Sequence, residues 1–130
     1  MTTQKEYHLS DDTIILSTSD LQGNIVDYNK GFLEASGYTD AEIKGKPHSL
    51  LRHPDMPKEA FQDFWHTIQD GRPWFGIVKN RRKNGDHYWV AANASPIIEN
   101  GQITGYLSVR YPASRRSEEH TSELQSRQSI

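Results

Sequence analysis

The side chains best suited to bind a small molecule lie in two stretches of this 130-residue chain. The first is Arg52-His-Pro-Asp-Met-Pro57, which leads directly into a predicted helix. The free N–H groups and the dipole at a helix N-terminus favour an anion, and the planar guanidinium of Arg52 suits a pyrophosphate. Asp55 can cap the helix or accept a hydrogen bond from a ribose hydroxyl. A well-capped loop with exposed charges explains the same residues, so both interpretations stay open.

The second stretch is a predicted β-hairpin with its turn at Asn84-Gly85, because an Asn-Gly pair between two strand-like segments is a strong hairpin signal. Side chains alternate between the two faces of a strand, so Trp74, Val78 and Asn80 share one side. Val78 is a natural core residue, which places the Asn80 amide on the inward face. A buried amide without partners costs about 1–3 kcal/mol. Either the protein or a bound ligand must therefore satisfy Asn80.

Small and aromatic side chains near these stretches leave room for a flat ligand. Trp74 on an inward strand face can line such a ligand, and an aromatic contact is worth about 0.5–1.5 kcal/mol beyond burial. Several positions of the hairpin strands have little bulk: Gly76, Ala91, Ala92 and Ala94. The same small residues also occur in ordinary tight packing, and we interpret the aromatic Phe64 of the preceding helix as a core residue.

The order of the predicted elements supplies a framework for these residues. Strand patterns occur at 13–19, 25–28, 73–83, 86–98 and 102–111. Helices are predicted at 29–37, 39–45 and 57–70, with an irregular segment at 46–55. The helix starts carry their usual signals: Asn29, the capping-box Thr39, and Pro57 in a first turn. Two strands, several helices and a three-stranded meander predict an α+β fold, with an antiparallel sheet and helices packed on one face.

Composition and missing motifs exclude several classes of function. The absence of cysteine excludes disulfides, thiolate metal sites, iron–sulfur ligation and cysteine nucleophiles. The net charge of −2 argues against a dedicated nucleic-acid binder, and the basic run 79–83 is better explained as a solvated hairpin. The six histidines show no paired ligand spacing, and no nucleophile elbow, P-loop or Rossmann glycine pattern occurs. Neither a metal site nor catalysis is predicted, and no segment is long and apolar enough to span a membrane.

Three regions of the chain differ in composition. Residues 1–12 are polar and are predicted to form an N-terminal lead-in that is flexible or partly helical. Residues 13–112 hold the predicted domain. The tail, 113–130, has almost no apolar residues and is predicted to be disordered. Its segment RSEEHTSELQS (116–126) resembles the translation of a common sequencing-library adapter, so we interpret the tail as non-native and the chain as an N-terminal piece of a longer protein.

Five motifs of the chain match the pattern of one known family. They are DLQGNIVDYN (20–29), SGYT (36–39), RHPDMP (52–57), PWFGIVKNRRKNGDHYWV (73–90) and GYLSVR (105–110). Together with the order of elements, they resemble the PAS domains of bacterial aerotaxis receptors, chemotaxis transducers that sense oxygen or cellular redox state through bound FAD. The resemblance covers about residues 8–112. It implies a PAS fold, in which a five-stranded antiparallel sheet clasps the cofactor against the central helices.

The resemblance also implies a set of cofactor-binding residues. Six residues fall on family motif positions tied to flavin binding: Asn29, Arg52, His53, Asp55, Trp74 and Asn80. The light-sensing branch of the family needs a cysteine near the position of His48. That branch also has an asparagine where this chain has Val90 and a glutamine where it has Arg110. The resemblance is therefore to the redox branch, with a different set of hydrogen bonds around the ring edge, where we expect Asn80.

The function implied by the resemblance is that of a non-enzymatic, cytoplasmic sensor. The domain would bind FAD and report redox state or oxygen to the HAMP and signalling regions of a dimeric receptor anchored to the inner membrane. Whether this fragment itself forms a homodimer stays open, as does FAD versus FMN from ring contacts alone. Two alternatives also remain: a haem-binding PAS gas sensor with His53 or His66 as axial ligand, and a ligand-free PAS module that mediates dimerisation. Direct membrane insertion and nucleic-acid binding are not expected.

Overall fold

An antiparallel sheet forms the frame of the domain, with helices on one face, as the sequence predicts. The computed structural model describes residues 2–113. The strands are β1 Ile15–Ser19, β2 Ile25–Tyr28, β3 Trp74–Arg81, β4 His87–Glu99 and β5 Gln102–Pro112. Within the described residues they form one five-stranded sheet in the order β2-β1-β5-β4-β3. Their bounds lie within two residues of the predicted ones. The predicted tail, 113–130, lies outside the described residues except for its first position.

The helices all fall between the second and third strands. They are α1 Lys30–Ser36, α2 Asp40–Ile43, a 3₁₀ helix His48–Leu51 and α3 Lys58–Gln69. The boundary signals act as predicted: Asn29 caps α1, Gly37 ends it in the left-handed conformation (φ 75°), and Thr39 forms a capping box with Glu42. The segment 46–55, predicted as irregular, contains the 3₁₀ helix because short-range backbone hydrogen bonds close over it. Among residues 2–113, no helix has the length and apolarity to cross a membrane.

The N-terminal lead-in runs beside the start of β4. Residues 2–12 contain no helix. The Tyr7 N–H donates to the His87 carbonyl at 2.6 Å, and the His87 N–H donates to the Lys5 carbonyl at 2.9 Å. The Arg82 guanidinium lies 3.7 Å from the centre of the Tyr7 ring. The segment is extended rather than helical because backbone pairing and this cation–π contact hold it against the hairpin.

The hydrophobic core divides into two clusters. The first, which we call the α1 cluster, consists of Ile15, Ile25, Phe32, Ala35, Ile43, Leu51, Tyr88 and Val90. The second, which we call the α3 cluster, consists of Ile68, Trp74, Ala92, Ala94 and Tyr106. Phe64 and Trp65 on the apolar face of α3 pack against the second cluster, which agrees with the prediction that Phe64 is a core residue. Two of the five α3-cluster residues are alanines of β4, so this strand contributes little side-chain bulk to the α3 cluster.

Candidate ligand-binding cavity

A cavity of about 300 Å³ lies between the sheet and α3. Its walls come from β1, β3, β4 and β5 on one side, and from the 3₁₀ helix, the loop before α3 and α3 itself on the other. The volume is at the lower end of the range in which proteins bind small molecules and cofactors. The cavity therefore lies where the predicted fold would hold a cofactor, between the sheet and the central helices.

Side-chain size on the sheet explains why this space exists. Strand pairing sets Ala92 opposite Gly76 and Ala94 opposite Trp74 on the inward face. On the other side of β4, Ser108 is the partner of Ala94. Four of these five neighbours have little or no side chain beyond Cβ, so the sheet cannot fill the gap beneath α3. The small residues that the sequence pointed to at 76, 92 and 94 thus form a floor.

Aromatic rings form the opposite walls of the cavity. The ring centre of Phe64 lies 5.2 Å from that of Trp74, and the ring centre of Trp65 lies 5.7 Å from that of Tyr106; both pairs are edge-to-face. This is a favoured geometry for aromatic pairs. The Trp74 indole N–H donates to the Asp63 carboxylate at 3.0 Å, which fixes the ring. Trp74, one of the predicted cofactor residues, lines the cavity, and so does Phe64.

The loop before α3 places its three predicted cofactor residues in different environments. Arg52 is exposed and lines the cavity, with its guanidinium 3.9 Å from the centre of the Phe61 ring. His53 is fully buried outside the lining, and its Nδ1 accepts from the Asp55 N–H at 3.0 Å. Asp55 accepts from Lys79 Nζ at 2.8 Å, and this bond lowers the pKa of the Asp55 carboxyl. His53 and Asp55 therefore shape the loop that carries Arg52.

Two buried imidazoles meet behind this loop. The rings of His53 and His87 are edge-to-face, with centres 5.9 Å apart. His53 Nε2 and His87 Nδ1 have no hydrogen-bond partner in the part of the chain that the structure describes. Burial, followed by the charge of Lys79, lowers the pKa of His53, so this imidazole is neutral at pH 7. Among residues 2–113 no three His, Asp or Glu side chains are arranged to hold a metal ion.

The Asn80 amide is buried and lines the cavity. Its side chain forms a hydrogen bond with the hydroxyl of Tyr88, the residue directly opposite on β4. Burial raises the pKa of Tyr88 to about 12, so this hydroxyl stays protonated at neutral pH. The backbone of Asn80 also bridges that of Arg52. The protein thus supplies one partner for the amide, whose carbonyl and NH₂ can make further hydrogen bonds.

Asn29, the remaining predicted cofactor residue, is bonded to the backbone around it. Its Oδ1 accepts from the N–H groups of Phe32 and Leu16, both at 3.0 Å, and its Nδ2 donates to the Ile14 carbonyl at 2.8 Å. These bonds tie the start of α1 to β1. Asn29 lies outside the residues that line the cavity, so its geometry is that of a helix cap.

The sequence did not assign several polar side chains that complete the wall. Arg110 is 7% exposed and lines the cavity; it donates to Ser108 Oγ at 3.0 Å and to Ser17 Oγ at 2.6 Å. His48 Nε2 lies 3.5 Å from the same Ser17 oxygen, and burial together with Arg110 lowers the pKa of His48 to about 3. In the sequence, Arg110 and His48 stood out only because the light-sensing branch has other residues at or near these positions. The available signal was strand alternation, which puts Arg110 on the same face as Tyr106.

Known proteins are similar to this chain in sequence and in fold. A family model described as PAS fold matches residues 25–110. The chain belongs to the PAS fold family. The Aerotaxis receptor of Escherichia coli (strain K12) is 57% identical over 108 residues, which are 83% of this chain and 21% of that receptor. This identity confirms the predicted resemblance.

A more distant relative also matches most of this chain over only a small part of its own length. The Nitrogen fixation regulatory protein of Klebsiella oxytoca is 29% identical over 115 residues, which are 83% of this chain and 23% of that protein. This PAS domain therefore spans between a fifth and a quarter of the length of these two curated relatives. Their names concern aerotaxis and the regulation of nitrogen fixation.

Solved structures confirm the predicted PAS fold. The dark structure of the blue-light photoreceptor Aureochrome1 LOV matches with a TM-score of 0.80 and 21% identity, over 88% of this chain and 86% of that chain. The PAS domain of a protein from Colwellia psychrerythraea matches with a TM-score of 0.70 and 27% identity, over 77% of this chain and 86% of that chain. A third match, with a TM-score of 0.79 and 21% identity over 88% of this chain and 87% of that chain, comes from a study of a flavin analogue in a light-oxygen-voltage domain.

Proposed function

We propose that this PAS domain binds a flavin and reports cellular redox state or oxygen to a chemotaxis signalling module. The cavity is the observation that carries the proposal. Its lining combines aromatic rings with the guanidinium groups of Arg52 and Arg110 and the amide of Asn80, and the described residues that line it include no carboxylate. Such a lining suits a flat, phosphate-bearing ligand with polar ring edges. The 57% identity to the Aerotaxis receptor supports the signalling role.

We propose FAD as the flavin because the aerotaxis receptors that this chain resembles bind FAD; the dimensions of the cavity suit the ring system that all flavins share. A volume of about 300 Å³ suits a tricyclic ring system rather than a whole dinucleotide, so the phosphates belong at the mouth. Arg52 is exposed there and offers a fork that matches phosphate oxygens. Because the chain contains no cysteine, the ring cannot form the thiol adduct on which the light-sensing branch depends. Reversible electron uptake is therefore the chemistry that a bound flavin supplies here.

Asn80 is the residue through which we propose that the redox state reaches the rest of the domain. Its amide can donate or accept at the cavity, while its other contacts reach Tyr88 through the side chain and Arg52 through the backbone. Moving a two-state population from 1:99 to 99:1 takes about 5.5 kcal/mol, more than one amide supplies. Several contacts must share the change, which the HAMP and signalling regions of a dimeric, membrane-anchored receptor would read in the cytoplasm.

Sensing, rather than catalysis, agrees with the relatives, which are named as a receptor and a regulatory protein. The two histidines considered as axial ligands of haem, His53 and the exposed His66, lie outside the cavity lining. Among the described residues His48 is the one imidazole that lines the cavity, and its Nε2 lies 3.5 Å from the Ser17 hydroxyl oxygen. The alternative of a ligand-free dimerisation module does not explain why two arginines, Arg52 and Arg110, line a cavity.

Identification of the cofactor tests the proposal directly. The purified domain should show a flavin absorption spectrum, and heat should release FAD that chromatography identifies. A Soret band would overturn the proposal in favour of haem. Colourless protein that takes up no flavin would favour the ligand-free module, and released FMN would overturn the choice of FAD.

Arg52→Ala should weaken FAD retention more than FMN retention. Arg81→Ala, on β3 but outside the cavity lining, serves as the matched control.

A further inference from the structure

Arg110 is a buried cation that no carboxylate accompanies. Within residues 2–113 the structure contains no ion pair to its guanidinium, and its hydrogen bonds go to the hydroxyls of Ser17 and Ser108. The ring of Phe32 lies 5.4 Å from Cζ. Arginine is rarely buried to this degree unless it is paired, since a buried charge is costly without a partner. The arrangement therefore needs an explanation beyond packing.

A second buried cation shows the usual arrangement. Lys79 lies on the outer face of the sheet, where it pairs with Asp55 at 2.8 Å and lies 5.7 Å from the centre of the Trp89 ring. A carboxylate therefore compensates the charge on the outer face, whereas the inner face has only hydroxyls. Position along the strand does not explain this difference, because each residue is the third from the end of its strand.

The titratable groups around Arg110 do not supply the missing negative charge. Burial, together with Arg110 itself, lowers the pKa of His48 to about 3, so this imidazole is neutral at pH 7. Burial raises the pKa of Tyr88 to about 12, so its hydroxyl is neutral as well. Burial lowers the pKa of Arg110 only to about 10, which leaves the guanidinium charged. One positive charge therefore acts on the inner part of the cavity, apart from exposed Arg52 at the mouth.

The guanidinium also has hydrogen-bonding capacity left for a ligand. It carries five N–H groups, and the two serine hydroxyls accept from two of its nitrogens. These hydroxyls fix the side chain against the sheet, on the row of β5 next to Ala92. Because Ala92 and Gly76 leave the neighbouring space open, a ring in the cavity can approach the charge.

We propose that Arg110 raises the reduction potential of the bound flavin by stabilising the negative charge that the ring gains on reduction. This inference rests on the proposed function. The oxidised ring is neutral; it takes two electrons from an external reduced carrier and one proton from water, and the reduced ring is then a monoanion. The guanidinium is close to a negative charge on the ring only when the flavin is reduced, so it stabilises the reduced flavin relative to the oxidised one. Protein charges close to the ring are known to tune flavin electronics in this way.

Arg110→Gln tests the inference through the midpoint potential, which does not depend on signalling output. Reductive titration with dithionite against a reference dye should show a potential at least about 30 mV below that of the wild-type domain, which is a tenfold change in the two-electron equilibrium. Arg110→Lys keeps the charge and should shift the potential less. Arg52→Gln, at the mouth, should weaken flavin retention and leave the potential closer to the wild-type value.

The outcomes separate this inference from the proposed function. Wild-type protein that binds no flavin would overturn both. Equal potentials in wild-type protein and Arg110→Gln would overturn the inference alone. If the glutamine variant cannot be loaded, Arg110→Met is a second uncharged variant for the same titration. Loss of oxidised flavin from both uncharged variants, with retention by Arg110→Lys, would mean that the charge acts equally on the oxidised ring, and this also overturns the inference.

Discussion

The two core clusters differ in side-chain size along one shared strand. Within β4, the inward-facing residues Tyr88 and Val90 belong to the α1 cluster, and the next two inward-facing residues, Ala92 and Ala94, belong to the α3 cluster. The first pair is fully buried against other side chains, whereas the second pair borders the cavity. A change from large to small residues at successive inward positions thus turns a packed core into a cavity. The α1 cluster should therefore account for stability and the α3 cluster for ligand affinity.

The largest effect is expected from Phe32→Ala in the α1 cluster. Phe32 is 1% exposed and its ring stacks on Tyr28 with centres 5.6 Å apart. Removing it should lower the free energy of unfolding of the flavin-free domain by about 3–5 kcal/mol, because a large cavity replaces the ring. Urea unfolding measures this loss. Phe75→Ala on the outer face, where Phe75 is 51% exposed, is the control and should change stability by at most about 0.5 kcal/mol. A loss below about 1 kcal/mol for Phe32→Ala would contradict the assignment of stability to this cluster.

Ala92→Leu in the α3 cluster should have the opposite effect: flavin affinity should fall and stability should change little. The larger side chain enters the space beside Gly76 and fills part of the cavity. Overpacking a full core costs about 1–3 kcal/mol, so a change in stability below about 1 kcal/mol would indicate open space. Flavin affinity should fall by at least about a hundredfold, or about 2.7 kcal/mol, in a fluorescence titration.

Ala91→Leu, one residue earlier and on the outer face, is the matched control for this change. It should leave flavin affinity within about twofold of the wild-type value. Retention of wild-type affinity by Ala92→Leu would show that the ligand lies elsewhere, and a stability loss above about 1 kcal/mol would show that the space is already filled.

The sequence predicted the elements better than the directions of individual side chains. Strands and helix starts depend on local patterns, such as the Thr39 capping box, and these appear in the structure where expected. The environment of Asp55 depends on Lys79, 24 residues away, and that of Arg110 on Ser17, 93 residues away. A motif gives the position of a residue along the chain, but such long-range partners decide whether it faces the cavity. The resemblance therefore grouped Asp55 with Arg52, although only the latter lines the cavity.

The pH dependence of stability tests how well the cavity wall excludes water at His48. The pKa of His48 is about 3 in the folded domain and about 6.5 in the unfolded chain. As the pH falls below about 6.5, the unfolded chain binds a proton here that the folded domain does not, so stability decreases until about pH 3. The decrease from this residue is at most about 1.4 kcal/mol per pH unit.

His48→Gln should reduce this decrease between pH 7 and pH 5, measured by urea unfolding of the flavin-free domain. The decrease should not vanish, because burial lowers the pKa of His53 in the same direction. His66→Gln, on the exposed side of α3, is the control and should keep the wild-type slope. If His48→Gln leaves the pH dependence of the free energy of unfolding unchanged, water reaches the imidazole in the folded domain. The cavity wall at His48 would then be solvated.

The smallest effect is expected from a substitution of Asn29. This substitution tests whether a residue on a flavin-binding motif position can act only in the structure around the α1 cluster. Asn29→Ala removes a helix cap and should lower the free energy of unfolding by about 1 kcal/mol, with flavin affinity and potential unchanged. Asn29→Asp keeps the acceptor for the Phe32 N–H but loses the donor to the Ile14 carbonyl, so its loss should be smaller. A tenfold loss of flavin affinity at unchanged stability would assign Asn29 to the cofactor. Since its three hydrogen bonds join α1 to β1, we expect the change to affect the α1 cluster and leave the cavity intact.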